Sequence, residues 1–364
     1  MLNKAEEHRY ARQIRMDEIG REGQAQLKAA RVLVVGAGGL GCPVLLYLSS
    51  MGVCQIGVID NDVVDISNLH RQILFSDSDL EQPKVFAAKK KLESLYPDVE
   101  LKAYFIKLNK SNVLDIFSGY DVIVEASDNF PTKYLSNDAC VILGKPLVYG
   151  AANRFDGQVA VFNYKNGPTL RCLYPEPPHE LEVPACSVTG VLGSVPGVIG
   201  TIQATETVKI ITGAGKPLSN GVFSFHFLTN EHFLFPLERN SETSCITELK
   251  DYDRFCDEQI NIKEITAAQL KKILNNVGKK LFLIDVRDPR DENIDKTIAD
   301  AINIPAYQIP YRWEEIPQNS DVVVFCRYEA QSKKVIQYLA EKHNMNNLIN
   351  LKDGMAGWEM IENV

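Results

Sequence analysis

A glycine-rich turn is the clearest chemical signal in the sequence. Residues 36–41 read Gly-Ala-Gly-Gly-Leu-Gly and directly follow the apolar run 32–35. A strand that leads into such a turn, with a helix after it, presents backbone N–H groups to phosphate oxygens. The pattern therefore predicts a nucleotide site, without deciding between a dinucleotide and ATP. The glycines expected to line the site are Gly36, Gly38, Gly39 and Gly41.

Four charged residues downstream of the turn favour ATP with magnesium over a nicotinamide cofactor. Asp60 lies one predicted strand later, where a carboxylate accepts hydrogen bonds from ribose hydroxyls. Arg71 and Lys84 are cations that could neutralise the charge on a leaving pyrophosphate. Asp128 follows a further apolar run and suits Mg²⁺, which binds a few carboxylates together with phosphate oxygens and water. The co-occurrence of these residues is what favours ATP.

Each of these residues also has a purely structural interpretation. Lys84 could be a solvated lysine in the first turn of a helix, and Arg71 could be a surface ion-pair partner. Asp128 with Asn129 could cap a helix. An NAD-dependent dehydrogenase would explain the glycine turn and Asp60 as well. It would leave the two cations and Asp128 without a chemical role, so the sequence favours ATP and keeps the dehydrogenase as an alternative.

The bulk properties restrict the class of protein. A chain of 364 residues predicts two domains, and a net charge of −8 argues against nucleic acid or an anionic membrane as a partner. The polar N-terminus predicts no signal peptide, and eight cysteines without regular spacing indicate reduced thiols in the cytoplasm. Residues 183–205 carry no charge, but their glycines and prolines favour a buried loop and helix over a membrane span.

An alternation of strand-like and helix-like segments would position the nucleotide residues. It predicts an α/β fold in which a doubly wound, mixed sheet forms a Rossmann-like ATP-binding domain, with ligands at the carboxyl ends of its strands. Antiparallel additions to the sheet are expected at 159–162 and within 223–235. The predicted strands are 31–35, 55–60, 99–105, 121–126 and 146–150, and the predicted helices are 40–51, 83–95 and 130–143.

The composition changes after residue 240. Residues 241–262 are polar and acidic, which predicts a linker. Beyond it the alternation restarts, with a helix over 266–274 that has Thr266 as its N-cap and buried strands at 281–285 and 322–325. The expected organisation is an ATP-binding domain over 1–240, a linker over 241–262 and a small α/β domain over 263–364.

Five motifs in the first domain resemble those of the MoeB/ThiF family, the bacterial relatives of ubiquitin-activating enzymes. The resemblance runs from about residue 8 to 238, in the family's order and spacing. The C-terminal part resembles a rhodanese domain, and the fusion is the architecture of MoeZ-type and Uba4-type sulfur-carrier activators. The motifs are 9–13, 36–41, 67–72, 82–84 and 127–129 in the first domain, and 283–287, 301–305 and 351–358 in the second.

This resemblance implies an adenylyltransferase. Its substrates would be ATP and the C-terminal glycine of a small ubiquitin-like sulfur carrier that ends in Gly-Gly. Its products would be the acyl-adenylate and pyrophosphate. The resemblance also implies a homodimer in which Arg12 reaches into the site of the other subunit, as an arginine finger does. The residues implied to bind ATP are Gly39, Asp60, Ser67, Asn68, Leu69, His70, Arg71, Lys84, Asp128 and Asn129, with Asp128 also binding Mg²⁺.

Two cysteines are candidates for sulfur chemistry. By resemblance, Cys186 could form a thioester or persulfide with the carrier, although a small buried side chain is an equally good interpretation. Cys326 takes the position of the rhodanese persulfide cysteine. The family usually has glycine where Glu329 or Ala330 stands and often has a basic residue at Gln331. An acid at position 329 would oppose a thiolate if it pointed inward, which leaves an inactive docking domain as an alternative.

The sequence departs most clearly from the family at its zinc site. The family usually has two C-x-x-C pairs that bind structural zinc, whereas residues 169–172 retain only Cys172 and residues 241–245 only Cys245. Cys256 is spare, and these three thiols do not match a usual tetrahedral spacing. We therefore expect no zinc in this protein.

The carrier, its pathway and the sulfur donor stay open at this stage. Molybdopterin, thiamin and tRNA thiolation pathways all use such carriers, and the rhodanese fusion mildly favours molybdopterin. The donor is expected to be a cysteine desulfurase or thiosulfate. Two other functions also stay open, namely a non-catalytic scaffold that binds carrier proteins and the adenylation of a peptide.

Overall fold

The computed structural model describes residues 2–178, 181–182, 190–252, 262–275 and 281–362. They divide into two compact units. The N-terminal unit contains the described residues up to 177 and those from 190 to 252. The C-terminal unit contains residues 178 and 181–182 together with those from 262 onward.

An eight-stranded mixed sheet forms the centre of the N-terminal unit, in the order β3-β2-β1-β4-β5-β6-β7-β8. Strands β1 to β5 are parallel, and β6, β7 and β8 are added antiparallel. The strands are β1 Arg31–Val35, β2 Gln55–Ile59, β3 Glu100–Tyr104, β4 Val122–Glu125, β5 Leu147–Asn153, β6 Asp156–Phe162, β7 Gly221–His226 and β8 Glu231–Pro236.

Helices cover both faces of this sheet. Val32 and Val34 pack in one apolar cluster, while their neighbours Leu33 and Val35 pack in another, so β1 is buried on both sides. This burial explains why its sequence is continuously apolar. The helices are α1 Lys4–Arg9, α2 Ala11–Ile14, α3 Gly20–Ala29, α4 Gly41–Ser50, α5 Lys84–Leu95, α6 Val113–Ser118, α7 Phe130–Leu143, α8 Leu170–Leu173, α9 Ser194–Thr212 and α10 Ser241–Ser244.

The C-terminal unit is built on a five-stranded parallel sheet in the order β11-β10-β12-β13-β9. The predicted N-cap is confirmed, because Thr266 accepts the Gln269 N–H and forms a capping box at the start of α11. The strands are β9 Lys263–Ile265, β10 Phe282–Asp285, β11 Ile302–Asn303, β12 Val322–Phe325 and β13 Leu348–Leu351. The helices are α11 Ala267–Leu274, α12 Ile309–Arg312, α13 Ala330–His343 and α14 Gly354–Glu362.

The predicted fold class is confirmed: a doubly wound, mixed α/β sheet is followed by a small α/β domain with a parallel sheet. The uncharged segment forms a loop and the helix α9 from residue 190 onward, and residues 183–189 lie outside the described residues. None of the described helices combines the length and apolar character that a membrane span needs.

The described part of the expected linker packs against the N-terminal unit. Leu249 and Tyr252 are buried in the cluster that covers one face of the sheet. The Tyr252 hydroxyl donates to Asp138, whose carboxylate also receives two hydrogen bonds from Arg171. The polar composition of this segment gave no indication that these two side chains are buried. Two buried side chains are enough to hold an otherwise polar segment against the domain.

Candidate functional site

The glycine turn lies where β1 separates from its neighbours β2 and β4, at the carboxyl edge of the sheet. Gly36 has φ +99°, and a Cβ at this position would lie 2.7 Å from the Ala126 carbonyl oxygen. A Cβ at Gly41 would lie 2.0 Å from the carbonyl oxygen of Gly36. Only glycine fits these two positions, and the turn is thereby held against the segment that follows β4. This is the topological switch point of the sheet, where nucleotides bind in such folds.

Asp60 is fixed beside the turn at the end of β2. Its Oδ2 accepts the Ala37 N–H at 2.8 Å, and its Oδ1 accepts the Asp62 N–H at 2.8 Å. Burial raises the pKa of Asp60 above its usual value, although the Ala37 N–H and the charge of Lys84 oppose that rise. The carboxylate is therefore oriented by the turn itself, as a ribose-binding group requires.

The segment that precedes α5 places Arg71 against the glycine turn. A Cβ at Gly39 would lie 3.4 Å from Arg71 Cγ. Asn68 Oδ1 accepts hydrogen bonds from Arg71 Nη2 at 2.9 Å and from Gln72 Nε2 at 3.0 Å. His70 Nδ1 lies 3.0 Å from the Ser67 carbonyl oxygen, and Leu69 packs against the apolar cluster beside the turn. Asn68 thus sets the direction of the arginine that the sequence assigns to phosphate.

Lys84 is the first residue of α5, and only 5% of it is exposed. Its Nζ pairs with the exposed carboxylate of Asp62 at 2.9 Å. The lysine stem is held by packing, while its charge is balanced by a carboxylate that is itself 65% exposed. A phosphate could replace that carboxylate without moving the lysine backbone. The surface-charge interpretation of Lys84 is therefore wrong.

The two residues after β4 have different roles. Asn129 is the N-cap of α7, and its Oδ1 accepts the Thr132 N–H at 2.9 Å. Asp128 is exposed, and within the part of the chain that the structure describes its carboxylate makes no hydrogen bond or ion pair. The capping interpretation thus holds for Asn129, whereas the Asp128 carboxylate is available for Mg²⁺, which prefers such oxygen ligands.

A buried ion pair, which the sequence did not lead us to predict, lies beneath this loop. Lys133 Nζ lies 2.5 Å from Glu125 Oε2, and it also donates to the carbonyl oxygens of Ser127 at 2.8 Å and Gly150 at 2.9 Å. Glu125 accepts the Ser127 N–H at 3.0 Å. The pair therefore fixes the backbone that carries Asp128. The sequence signal that could have indicated this pair is a glutamate inside an apolar strand, followed by a lysine eight residues later.

Helix α9 closes the site from the other side. A Cβ at Gly193 would lie 2.3 Å from the His70 carbonyl oxygen, and a Cβ at Gly39 would lie 3.1 Å from Pro196. Gln203 of this helix donates to the carbonyl oxygens of Glu125 at 2.8 Å and Val148 at 3.1 Å. Gly200 of this helix packs closely against the glycine turn, since a Cβ there would lie 2.4 Å from the Leu40 carbonyl oxygen, whereas Gly197 has open space around it.

Arg12 lies away from the other predicted site residues. Its helix α2 is tied to the far end of α4, because Gln13 Nε2 donates to the Met51 carbonyl oxygen at 3.1 Å. The glycine turn is at the opposite end of α4, which has ten residues and is therefore about 15 Å long. Arg12 is exposed and forms no hydrogen bond or ion pair with the described residues. It does not complete the site of its own chain.

In the C-terminal unit, Cys326 follows β12 and is 3% exposed. Its sulfur accepts the Ser332 N–H at 3.4 Å, and its carbonyl oxygen accepts the Met355 N–H at 2.8 Å. A Cβ at Gly354 would lie 2.3 Å from that carbonyl oxygen. The loop after Cys326 is therefore clamped by the start of α14, and the Glu329 carboxylate pairs with Lys333 at 3.1 Å.

Cys172 has hydrogen-bond donors where a zinc site would need thiolates. Its sulfur lies 3.4 Å from the Thr169 N–H and 3.3 Å from the Asn240 N–H, with the Thr243 hydroxyl at 4.0 Å. Burial opposes ionisation of this thiol, but the hydrogen bonds from Thr169 and Asn240 outweigh it and lower the pKa of Cys172. A single thiol among such donors does not fit tetrahedral zinc. Cys245 is exposed, and the described residues hold no group of three or more ligands suited to a metal.

Two predicted cysteine positions, Cys186 and Cys256, lie outside the described residues.

Comparison with known proteins identifies both units. Residues 10–247 match the model of the ThiF family, and residues 266–361 match that of the rhodanese-like domain. A sulfur carrier protein adenylyltransferase of Thermus thermophilus is 46% identical over 70% of this chain and 97% of its own length. The probable adenylyltransferase/sulfurtransferase MoeZ of Mycobacterium tuberculosis is 37% identical over 98% of this chain and 94% of its own length.

Solved structures support the fold. Escherichia coli MccB with ATP superposes with a TM-score of 0.55 at 22% identity, covering 62% of this chain and 69% of MccB. PaaA superposes with a TM-score of 0.57 at 20% identity, covering 66% of this chain and 76% of PaaA. At these identities the likeness establishes the fold alone.

Proposed function

Because this chain belongs to the ThiF family and carries a C-terminal rhodanese-like domain, we propose that it adenylates a sulfur carrier protein with ATP and then supplies sulfur to it. In the first step a carrier carboxylate oxygen attacks the α-phosphorus of ATP and pyrophosphate leaves. In the second step the outer sulfur of a cysteine persulfide attacks the activated acyl carbon, AMP leaves and an acyl disulfide forms. A second thiol then attacks the cysteine sulfur of this disulfide, which releases the carrier thiocarboxylate and leaves a disulfide between the two thiols. The main support is the convergence of the glycine turn, Asp60, Arg71, Lys84 and Asp128 at one switch point, together with relatives named for both activities.

The residues of the nucleotide site would divide the work between binding and charge stabilisation. The turn and Asp60 would hold phosphate and ribose, as their N–H groups and carboxylate allow. Arg71 and Lys84 would neutralise charge on the departing pyrophosphate. Asp128 would hold Mg²⁺, which supplies further neutralisation at the phosphates.

Arg12 would act in the site of the other subunit of a homodimer. The distance of its helix from the glycine turn of its own chain supports this assignment. An arginine supplied in this way stabilises charge on the transferring phosphate groups.

This assignment predicts complementation between two inactive variants. Arg12→Ala and Asp128→Ala should each lose adenylation alone. Mixed under conditions that exchange subunits, they should recover roughly a quarter of the wild-type activity, since half of the dimers hold one intact site. Exchange of subunits is verified by a mass tag on one variant. Mixed dimers without activity would contradict the assignment of Arg12.

In the C-terminal domain, we assign Cys326 as the cysteine that carries persulfide sulfur, with a cysteine desulfurase or thiosulfate as donor. Cys186 is a second candidate for a covalent adduct with the carrier. We propose that the reaction takes place in the cytoplasm, where ATP and reduced thiols are available. The carrier is proposed to be a ubiquitin-like protein that ends in Gly-Gly, from a molybdopterin, thiamin or tRNA thiolation pathway.

We further propose that the protein holds no structural zinc, because hydrogen bonds to Cys172 take over the stabilisation of this region. Elemental analysis of chelator-washed protein should give less than about 0.1 equivalent of zinc, in contrast to the one equivalent of a Cys₄ site. A stoichiometric zinc content that survives the chelator would show that ligands outside the described residues complete a site.

ATP–pyrophosphate exchange tests the adenylation step. Purified chain is supplied with Mg²⁺, ATP and each small Gly-Gly-ending carrier of the same genome in turn. Exchange that depends on one carrier supports the proposal and identifies the pathway. Binding of ATP without exchange in the presence of any carrier would favour a scaffold or a peptide substrate instead.

A further inference from the structure

The loop after Cys326 contains a glutamate where the backbone favours glycine. Glu329 has φ +78° and ψ −20°, directly before the helix α13 begins at Ala330. This left-handed conformation is disfavoured for any residue with a Cβ, and it is least uncommon for asparagine and aspartate among the others. A glutamate held in it needs a compensating interaction, and its side chain provides one.

The carboxylate of Glu329 contacts three separate elements. It pairs with Lys333 Nζ at 3.1 Å, and it accepts hydrogen bonds from Asn350 Nδ2 and from the Asp353 N–H, both at 3.4 Å. Burial opposes ionisation, but the interactions with Lys333 and with the Asp353 N–H outweigh it and lower the pKa of Glu329. Lys333, Asn350 and the Asp353 N–H therefore stabilise the negative charge of Glu329.

Asn350 connects this carboxylate to the sulfur. It is fully buried in β13, and its Oδ1 lies 2.7 Å from the Ser332 hydroxyl. Ser332 in turn donates its N–H to Cys326 Sγ at 3.4 Å, and its hydroxyl lies 3.6 Å from the same sulfur. The contacts therefore run without a gap from Glu329 through Asn350 and Ser332 to Cys326.

We propose that Glu329 is a positioning residue for sulfur transfer. Its carboxylate orients Asn350 and the Asp353 amide, and through Asn350 it fixes the Ser332 N–H that faces the sulfur of Cys326. The inference rests on the proposed function of Cys326 as the persulfide cysteine. In this proposal, the glutamate at a position where the family usually has glycine is a functional substitution. Hydrogen bonds from its side chain take the place of the conformational freedom that glycine would give the backbone.

A comparison of glycine and glutamine at position 329 separates this role from a purely conformational one. Glu329→Gly relieves the backbone, so a conformational role predicts wild-type or higher sulfur transfer. The positioning role predicts a loss of roughly tenfold, because the hydrogen bonds that orient the loop are gone. Glu329→Gln keeps an oxygen acceptor for Asp353 and Asn350, and it should retain at least roughly half of the wild-type rate.

Sulfur transfer is measured on the full chain, to cyanide from thiosulfate and to the carrier from a desulfurase supplied with cysteine. The matched control is Asn344→Gly, which makes the same backbone change at the other end of α13, where φ is +55°. This variant should transfer sulfur like the wild type. ATP–pyrophosphate exchange and the thermal midpoint of each variant confirm that the chain is folded.

The outcomes distinguish the inference from the proposed function. A Glu329→Gly variant that is as active as the wild type overturns the positioning role and leaves Cys326 unaffected. Sulfur transfer that survives Cys326→Ser, or a wild-type chain inactive with both donors, overturns the proposed function and this inference with it. Loss in Glu329→Gly with retention in Glu329→Gln and Asn344→Gly supports both.

Discussion

Replacing Asp128 by alanine is expected to reduce carrier-dependent ATP–pyrophosphate exchange by at least roughly a hundredfold, because it removes the carboxylate that we propose binds Mg²⁺ at the phosphates. The carboxylate is exposed and unpaired among the described residues, so no buried partner loses its charge balance. The neighbouring Asn129 still caps α7 and keeps the loop in place. The thermal midpoint should therefore stay close to that of the wild type.

Asp98→Ala is the matched control for this variant. Asp98 is also exposed, but it precedes β3 and so lies at the opposite edge of the sheet from the nucleotide turn. Its removal should leave exchange unchanged. If Asp128→Ala catalysed ATP–pyrophosphate exchange at the wild-type rate at limiting Mg²⁺, Asp128 would not be a ligand of the metal.

Replacing Cys326 by alanine is expected to separate the two activities. Thiocarboxylate formation on the carrier should fall by at least roughly a hundredfold, because the cysteine that we propose carries the persulfide sulfur is gone. Adenylation should stay within about twofold of the wild type, since the nucleotide residues all belong to the other unit. The measurement is the intact mass of the carrier, alongside ATP–pyrophosphate exchange of the same preparation.

Cys245→Ser is the control, because it removes an exposed thiol from the N-terminal unit. This variant should keep both activities. If Cys326→Ala still yielded thiocarboxylate at the wild-type rate, the sulfur relay would have to pass through Cys186 or come directly from the external donor.

The predictions that succeeded depend on local signals. The runs that formed strands were continuously apolar because the sheet is covered on both faces, and Thr266 followed by Gln269 is a local capping pattern. The glycine turn could be predicted because its four glycines lie within residues 36–41, directly after an apolar run. The parallel arrangement of the strands, and with it the position of the site at their carboxyl ends, then followed from the alternation of strands and helices.

The features that were missed depend on contacts between distant segments. Lys133 looks like an ordinary helix lysine until β5 supplies the Gly150 carbonyl that it binds. Tyr252 looks like part of a polar linker in the sequence, because its hydrogen-bond partner Asp138, which also binds Arg171, comes from a distant helix. The sequence could not show which way Glu329 points either, because Lys333, Asn350 and Asp353 come from different elements.

Conversion of the carrier to its thiocarboxylate by the full chain tests the central claim most directly. The chain is incubated with ATP, Mg²⁺, a Gly-Gly-ending carrier and a desulfurase with cysteine, and the carrier is weighed intact. We predict that the carrier exchanges one oxygen for sulfur only when ATP and Cys326 are both present. A carrier whose mass never changes with any partner of the same genome would contradict the account.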